Sequence, residues 1–128
     1  MNRKVVQPAE LPKPRYPFSL GIRHGDFLYT SGATGADASG EIPTDLREQT
    51  RNTFEILRKV LAAEGIGFEN VLKSTVYMTD VSKFNEMNEV YRSYFPVDPP
   101  ARTTIGVAAL ALPGLQIEIE LVAAIPAK

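Results

Sequence analysis

The chain contains no cysteine and only one histidine, His24. Without thiols there is no disulfide, no catalytic cysteine and no thiolate metal site. A single imidazole is too little for a zinc centre, which usually needs several nitrogen or sulfur ligands, so no metal is expected. A Ser-His-Asp triad would have to use His24. No apolar run is long enough to cross a bilayer, which argues against a membrane role. An excess of one charge is also missing. The 14 Lys and Arg residues nearly balance the 15 Asp and Glu, leaving a net charge of −1. Neutralising many phosphates needs a strongly basic surface, so nucleic acid is not expected as a partner. Residues Met1 to Pro8 carry two basic side chains but no apolar core behind them, so a secretory signal is not expected. A cytoplasmic location follows as the expectation.

What is present fits one globular domain, residues 1–128. The hydrophobic fraction is 44% and the charged fraction 23%, close to the globular average. A chain of this length can bury roughly two-thirds of its unfolded surface and fold without a metal or disulfides. Pro8, Pro12, Pro14 and Pro17 crowd the beginning, so residues 1–17 read as an extended lead-in that cannot pair regularly. Phe18 to Ile22 and Phe27 to Thr30 read as short strands, with Arg23 to Asp26 as a hairpin turn.

Leu46, Thr50, Thr53, Phe54, Leu57, Val60 and Leu61 recur at helical spacing, and Arg47, Glu48, Arg51, Glu55, Arg58 and Lys59 take the other side. That is an amphipathic helix covering a sheet, capped by Asp45 with Glu48 and ended by Gly65. Val71 to Thr79 alternates as a strand. A second helix follows, capped by Asp80 or Ser82, with Phe84, Met87, Asn88, Tyr91 and Phe95 on one face. Pro96, Pro99 and Pro100 end it. Arg102 to Val107 and Gln116 to Ile125 are the last strands. The order is β-β-α-β-α-β-β, an α+β fold. Two helices with one apolar stripe each cover one face of the sheet. The other face still carries Val122 and Ala124 beside Glu118 and Glu120, and a homo-oligomer would cover it.

Two stretches are suited to chemistry. In Pro99-Pro100-Ala101-Arg102-Thr103-Thr104 the prolines fix the start of a strand and the direction of Arg102. Its planar fork suits a carboxylate, while a plain surface ion pair is the competing reading. In Gln116-Ile117-Glu118-Ile119-Glu120-Leu121, alternation places both acids on one face. They are either a solvated edge or a part-buried acid that orients water, with Arg102 as its partner if the strands are neighbours. Asn88, on an apolar helix face, must find hydrogen-bond partners. Phe84, Met87 and Tyr91 read as helix core, and His24 as an exposed turn residue. Ser31-Gly32-Ala33-Thr34-Gly35 lacks the lysine and spacing of a phosphate loop but allows close backbone approach to a ligand.

Several motifs together resemble the RidA (YjgF-type) family. They are Thr30-Ser31-Gly32, Val71 to Asp80, Phe84 to Tyr91, Pro100-Ala101-Arg102-Thr103-Thr104 and Ile117-Glu118-Ile119-Glu120. The similarity runs from about Phe18 to the C-terminus. The resemblance implies a chorismate-mutase-like fold with the helices on one sheet face. It also implies a homotrimer with a central barrel and clefts between subunits. The implied activity is hydrolytic deamination of reactive 2-imino and enamine acids, such as 2-iminobutanoate and 2-iminopropanoate, with no cofactor. Arg102 would grip the substrate carboxylate and Glu118 would place the water, while backbone near Gly32 and Thr104 lines the cleft. Two positions depart from the family pattern. Phe18 stands where a tyrosine is common, with Tyr16 two residues away, and Thr104 stands where a cysteine is common. Other activities of the same scaffold, on aminoacrylate or aminomuconate substrates, and non-catalytic binding of a small metabolite are the alternatives.

Overall fold

The structure, a computed structural model, describes residues 2–127. Seven strands and two helices follow one another as β1 (Arg3–Val6), β2 (Gly21–His24), β3 (Phe27–Thr30), β4 (Ala33–Thr34), α1 (Leu46–Ala62), β5 (Val71–Met78), α2 (Phe84–Tyr94), β6 (Ala101–Gly106) and β7 (Ile117–Ala124). The sheet runs β1-β2-β3-β7-β5-β6, and β4 also pairs with β7. All pairings are antiparallel except β5 with β6.

The N-terminal segment is more than a lead-in. Arg3–Val6 pairs with β2 along the sheet edge. The prolines begin only at Pro8, so these four residues keep every backbone donor, and an edge strand tolerates the break that follows. The β2 strand lies further on than expected, because the turn is only Gly25-Asp26. Gly25 has φ of 60° at the first loop position, the geometry a two-residue hairpin loop requires.

A register change between β3 and β4 shapes the site. Tyr29 pairs with Val122, but Ala33 pairs with Ile119, so one extra residue is accommodated between them. This is a β-bulge, a device that bends a strand and redirects its side chains. The Thr30 hydroxyl fills the interrupted ladder by accepting the Leu121 N–H at 2.9 Å.

Both helices cover one face of the sheet. Asp45 caps α1 by accepting the Glu48 N–H. The buried hydroxyls of Thr50 and Thr53 each donate to the carbonyl four residues back at 2.8 Å, so neither is left unpaired in the core. Phe54 is fully buried among Phe68, Tyr91, Tyr94 and Phe95, with ring centroids 4.5 to 5.8 Å away. From the sheet, Val76, Met78, Ile117, Ile119, Leu121 and Ala123 complete this core. Gln49 is also buried. Its amide donates to the carbonyls of Pro43 and Gly114 and accepts the Gln116 N–H. That set of bonds ties the loop before β7 to α1.

The opposite face carries the other half of each strand's alternation. Phe27 is 44% exposed, Tyr29 48% and Ile105 42%. They surround half-buried Val122, Ala124, Glu118 and Glu120.

Candidate functional site

The sequence-predicted residues fall into two groups on opposite faces of the sheet. The first centres on Arg102. In β6 it pairs with Ser74 of β5, whose hydroxyl bonds the Tyr91 hydroxyl of α2 at 2.6 Å, so Arg102 points to the helix side. Its guanidinium lies 4.6 Å from the Tyr91 ring centre and 5.4 Å from that of Phe84. One nitrogen donates to Asn88 Oδ1 at 2.8 Å. Aromatic faces attract a cation without neutralising it. No carboxylate pairs with Arg102 among the described residues, so the surface ion-pair reading does not apply. A cavity of about 330 Å³ opens here, lined by Phe84, Asn88, Tyr91, Phe95, Pro100 and Arg102 among others. Phe84 is 39% exposed; it forms a wall of this cavity and is not core, because α2 ends its buried stripe at Met87. Thr104 shares the strand face of Arg102, two residues on. Its hydroxyl is buried with no hydrogen-bond partner among the described residues, the kind of orphaned group that a ligand or water satisfies.

The second group centres on Glu118. This residue lines a cavity of about 560 Å³ with Phe18, Tyr16, Ser31, Gly32, Leu112 and Leu115. The bulge brings the Gly32 backbone against the acid. A Cβ at position 32 would stand 2.6 Å from Glu118 Cδ and 2.8 Å from Cγ, so only glycine leaves the side chain where it is. Glu118 accepts no hydrogen bond among the described residues. Burial first, and then the neighbouring Glu120 charge, hold its carboxyl above the usual carboxylate range. A carboxyl held in this way keeps its proton to higher pH than an ordinary carboxylate and is suited to proton transfer.

The expected ion pair between Arg102 and Glu118 does not form within one chain. β5 lies between β6 and β7, and the two side chains leave the sheet on opposite sides. Gly32, Phe18 and Glu118 line one cavity, Asn88 and Arg102 line the other, and Thr104 shares only the strand face of Arg102. Sequence reading left out the walls: Leu112 and Leu115, the Phe84 and Tyr91 cradle, and Tyr77, whose hydroxyl bonds Glu120 on the Glu118 side of the sheet. Tyr77 was visible as an alternating strand residue, but only the pairing of β5 with β7 places it opposite the acids. No group of three or more potential metal ligands occurs among the described residues.

Residues 9–125 match the family described as endoribonuclease L-PSP. The chain belongs to this family, that of RidA and YjgF. It is 39% identical to a RutC family protein of Pyrococcus horikoshii, over 94% of this chain and 97% of that protein. It is 37% identical to the human 2-iminobutanoate/2-iminopropanoate deaminase, over 94% of this chain and 89% of the human protein. In three dimensions it resembles E. coli TdcF, solved with bound serine. The TM-score is 0.88 at 30% identity, covering 94% of this chain and 98% of that one. The mixed α+β architecture of two helices on one sheet is therefore the RidA/YjgF fold.

Proposed function

We propose that this RidA/YjgF protein hydrolyses reactive 2-imino and enamine acids, such as 2-iminobutanoate and 2-iminopropanoate, to 2-keto acids and ammonia. The observation that carries this reading is Arg102, a guanidinium with no acidic partner among the described residues, held in an aromatic cradle beside an open cavity. Such a group is free to take a substrate carboxylate through paired, charge-assisted hydrogen bonds. The second requirement is a group that moves protons, and Glu118 has the raised proton affinity for it.

Because these groups leave the sheet on opposite sides, one copy cannot assemble the site. A homotrimer packed through the exposed sheet face, as a central barrel, would bring Arg102 of one subunit to Glu118 of the next. The apolar Phe27, Tyr29 and Ile105 on that face support such packing. Asn88 holds Arg102 in place, Thr104 offers the cleft a hydroxyl, and Gly32 and Phe18 shape the Glu118 side.

In the reaction, Arg102 fixes the carboxylate and so the imine carbon. Glu118 directs water onto that carbon. The C=N electron pair moves to nitrogen, which gains a proton. The carbinolamine then collapses to the keto group and releases ammonia. One water is consumed and no redox partner or cofactor enters. Phe18 brings no hydroxyl, but Tyr16 lines the same cavity, 66% exposed, and can donate from there.

A coupled assay tests this reading. A pyridoxal-phosphate threonine dehydratase generates 2-iminobutanoate, and semicarbazide traps the free imine. The protein should raise 2-ketobutyrate formation and suppress trapping, and Arg102→Ala should not. Near-normal turnover by folded Arg102→Ala would overturn the assignment. The bound serine of TdcF favours one second reading, a metabolite-binding protein that uses the same arginine; saturable binding without turnover on any imine would establish it. Larger aminoacrylate or aminomuconate substrates test the remaining scaffold activities. The endoribonuclease description of the family draws no support from this chain, whose net charge of −1 is a poor match to phosphates. A cytoplasmic site of action fits a reaction that intercepts intermediates of amino-acid metabolism, and no described helix is long and apolar enough to cross a membrane.

A further inference from the structure

Glu118 and Glu120 stand two residues apart on the same side of β7, yet their surroundings differ. Tyr77, across on β5, has its backbone paired opposite Glu118 but gives its hydroxyl hydrogen to Glu120. Glu118 is given no donor among the described residues. Neighbouring carboxyls on one strand face disfavour each other's ionisation, and a hydrogen bond donated to one favours the charged form of that one. Glu120 has the donor, whereas Glu118 has none among the described residues and its carboxyl is held above the usual carboxylate range, by burial first and then by Glu120.

We propose that Glu120, held by the Tyr77 hydroxyl, is a positioning residue that sets the pH at which Glu118 gives up its proton. The proposal rests on the reading of Glu118 as the proton-handling group given above. Within one chain the surroundings of Glu118 contain little else that could do this. In the assembled site proposed above, Arg102 of the next subunit adds a positive charge that favours the ionised Glu118 equally in wild type and in both variants. From its own strand Glu118 faces Glu120. From β5 it faces Tyr77, and from the N-terminal segment Tyr16. Thr34 of β4 and Ala111, Leu112 and Leu115 of the preceding loop are uncharged. Lys83 donates to Gln116 at 3.0 Å, and Lys73 to Thr103 at 2.9 Å. The Tyr77 phenol is held above its ordinary value, chiefly by the bond to Glu120 and then by burial, so it stays neutral and remains a donor. An ordinary cross-strand pair would contribute only stability. This one is coupled to a second acid in a cavity.

The test is a carboxyl 13C NMR titration of Glu118 in the assembled protein, its resonance assigned by loss in Glu118→Gln. It is paired with the pH dependence of kcat/KM for 2-iminobutanoate. In Glu120→Gln the Glu118 midpoint should fall by about half a pH unit or more. In Tyr77→Phe, which removes one oxygen, the Glu118 midpoint should fall as well. The acid limb of kcat/KM should move with the Glu118 midpoint in both variants. A Glu118 midpoint unmoved in both variants overturns the proposal. If wild-type protein turns over no imine while the midpoints still move, the coupling stands and the deaminase reading falls.

Discussion

Replacing Gly32 by alanine separates what the bulge does for the site from what it does for the fold. Gly32 is not among the glycines with positive φ, so alanine meets no backbone penalty and acts through its methyl group alone. That methyl would stand 2.6 Å from Glu118 Cδ and 2.8 Å from Cγ, which pushes the carboxyl away by about 1 Å. Overpacking costs about 1–3 kcal/mol in a closed core. Here the displaced group is the end of a side chain facing an open cavity, so the loss should lie near the bottom of that range. Catalysis is less forgiving. A misplacement of about 1 Å can cost about 100-fold in rate, equivalent to about 3 kcal/mol of transition-state stabilisation. Urea unfolding gives the first quantity and the coupled imine assay the second. Glu118→Ala removes the clashing group, so Gly32→Ala should cost almost nothing in that background, and a double-mutant cycle on stability reads this directly. The reasoning is refuted if Gly32→Ala keeps wild-type turnover, or if its stability cost is the same with and without Glu118.

Phe54→Ala should cost about 3–5 kcal/mol, because the ring is fully buried against four other aromatic rings; the urea midpoint measures it, and a change under about 1 kcal/mol would contradict the described core. Glu64 carries a pH signature. Burial opposes its charge, but hydrogen bonds from Lys4 and Arg23 outweigh that and hold its carboxyl below the ordinary value. A lowered carboxyl stabilises the fold above its unfolded pKa and loses this as pH falls through the folded value. Glu64→Gln should therefore melt lower than wild type at pH 7, and the gap should narrow as pH falls below the ordinary carboxylate range; a gap that does not narrow in acid would count against the pairing.

Much of the fold was legible because periodicity reports burial. The stripe from Leu46 to Leu61 gave α1, and alternation gave β5 and β7. The segment β1 was hidden by the prolines that follow it, although their effect on pairing starts only at Pro8. The two-residue β4 is too short for any periodicity and exists because the bulge realigns the chain on β7. For the site, the residue types were readable but their grouping was not. Alternation tells which neighbours in one strand share a face, yet not which strands are adjacent, so the insertion of β5 between Arg102 and Glu118 was invisible. Phe84 looked like helix core for a related reason, since periodicity cannot tell a buried stripe from the wall of a cavity, whereas Tyr91 is core as read and walls the cavity as well.

The central claim is that a working site needs Arg102 from one copy and Glu118 from another, and subunit mixing tests it most directly. Arg102→Ala and Glu118→Gln are each purified, shown to be inactive and to assemble like wild type, then unfolded together in equal amounts and refolded. Random assembly leaves about one quarter of the clefts with both groups intact. The account predicts that the mixture recovers about one quarter of wild-type imine hydrolysis. A mixture no more active than its separate components, with exchange of subunits demonstrated, would contradict it.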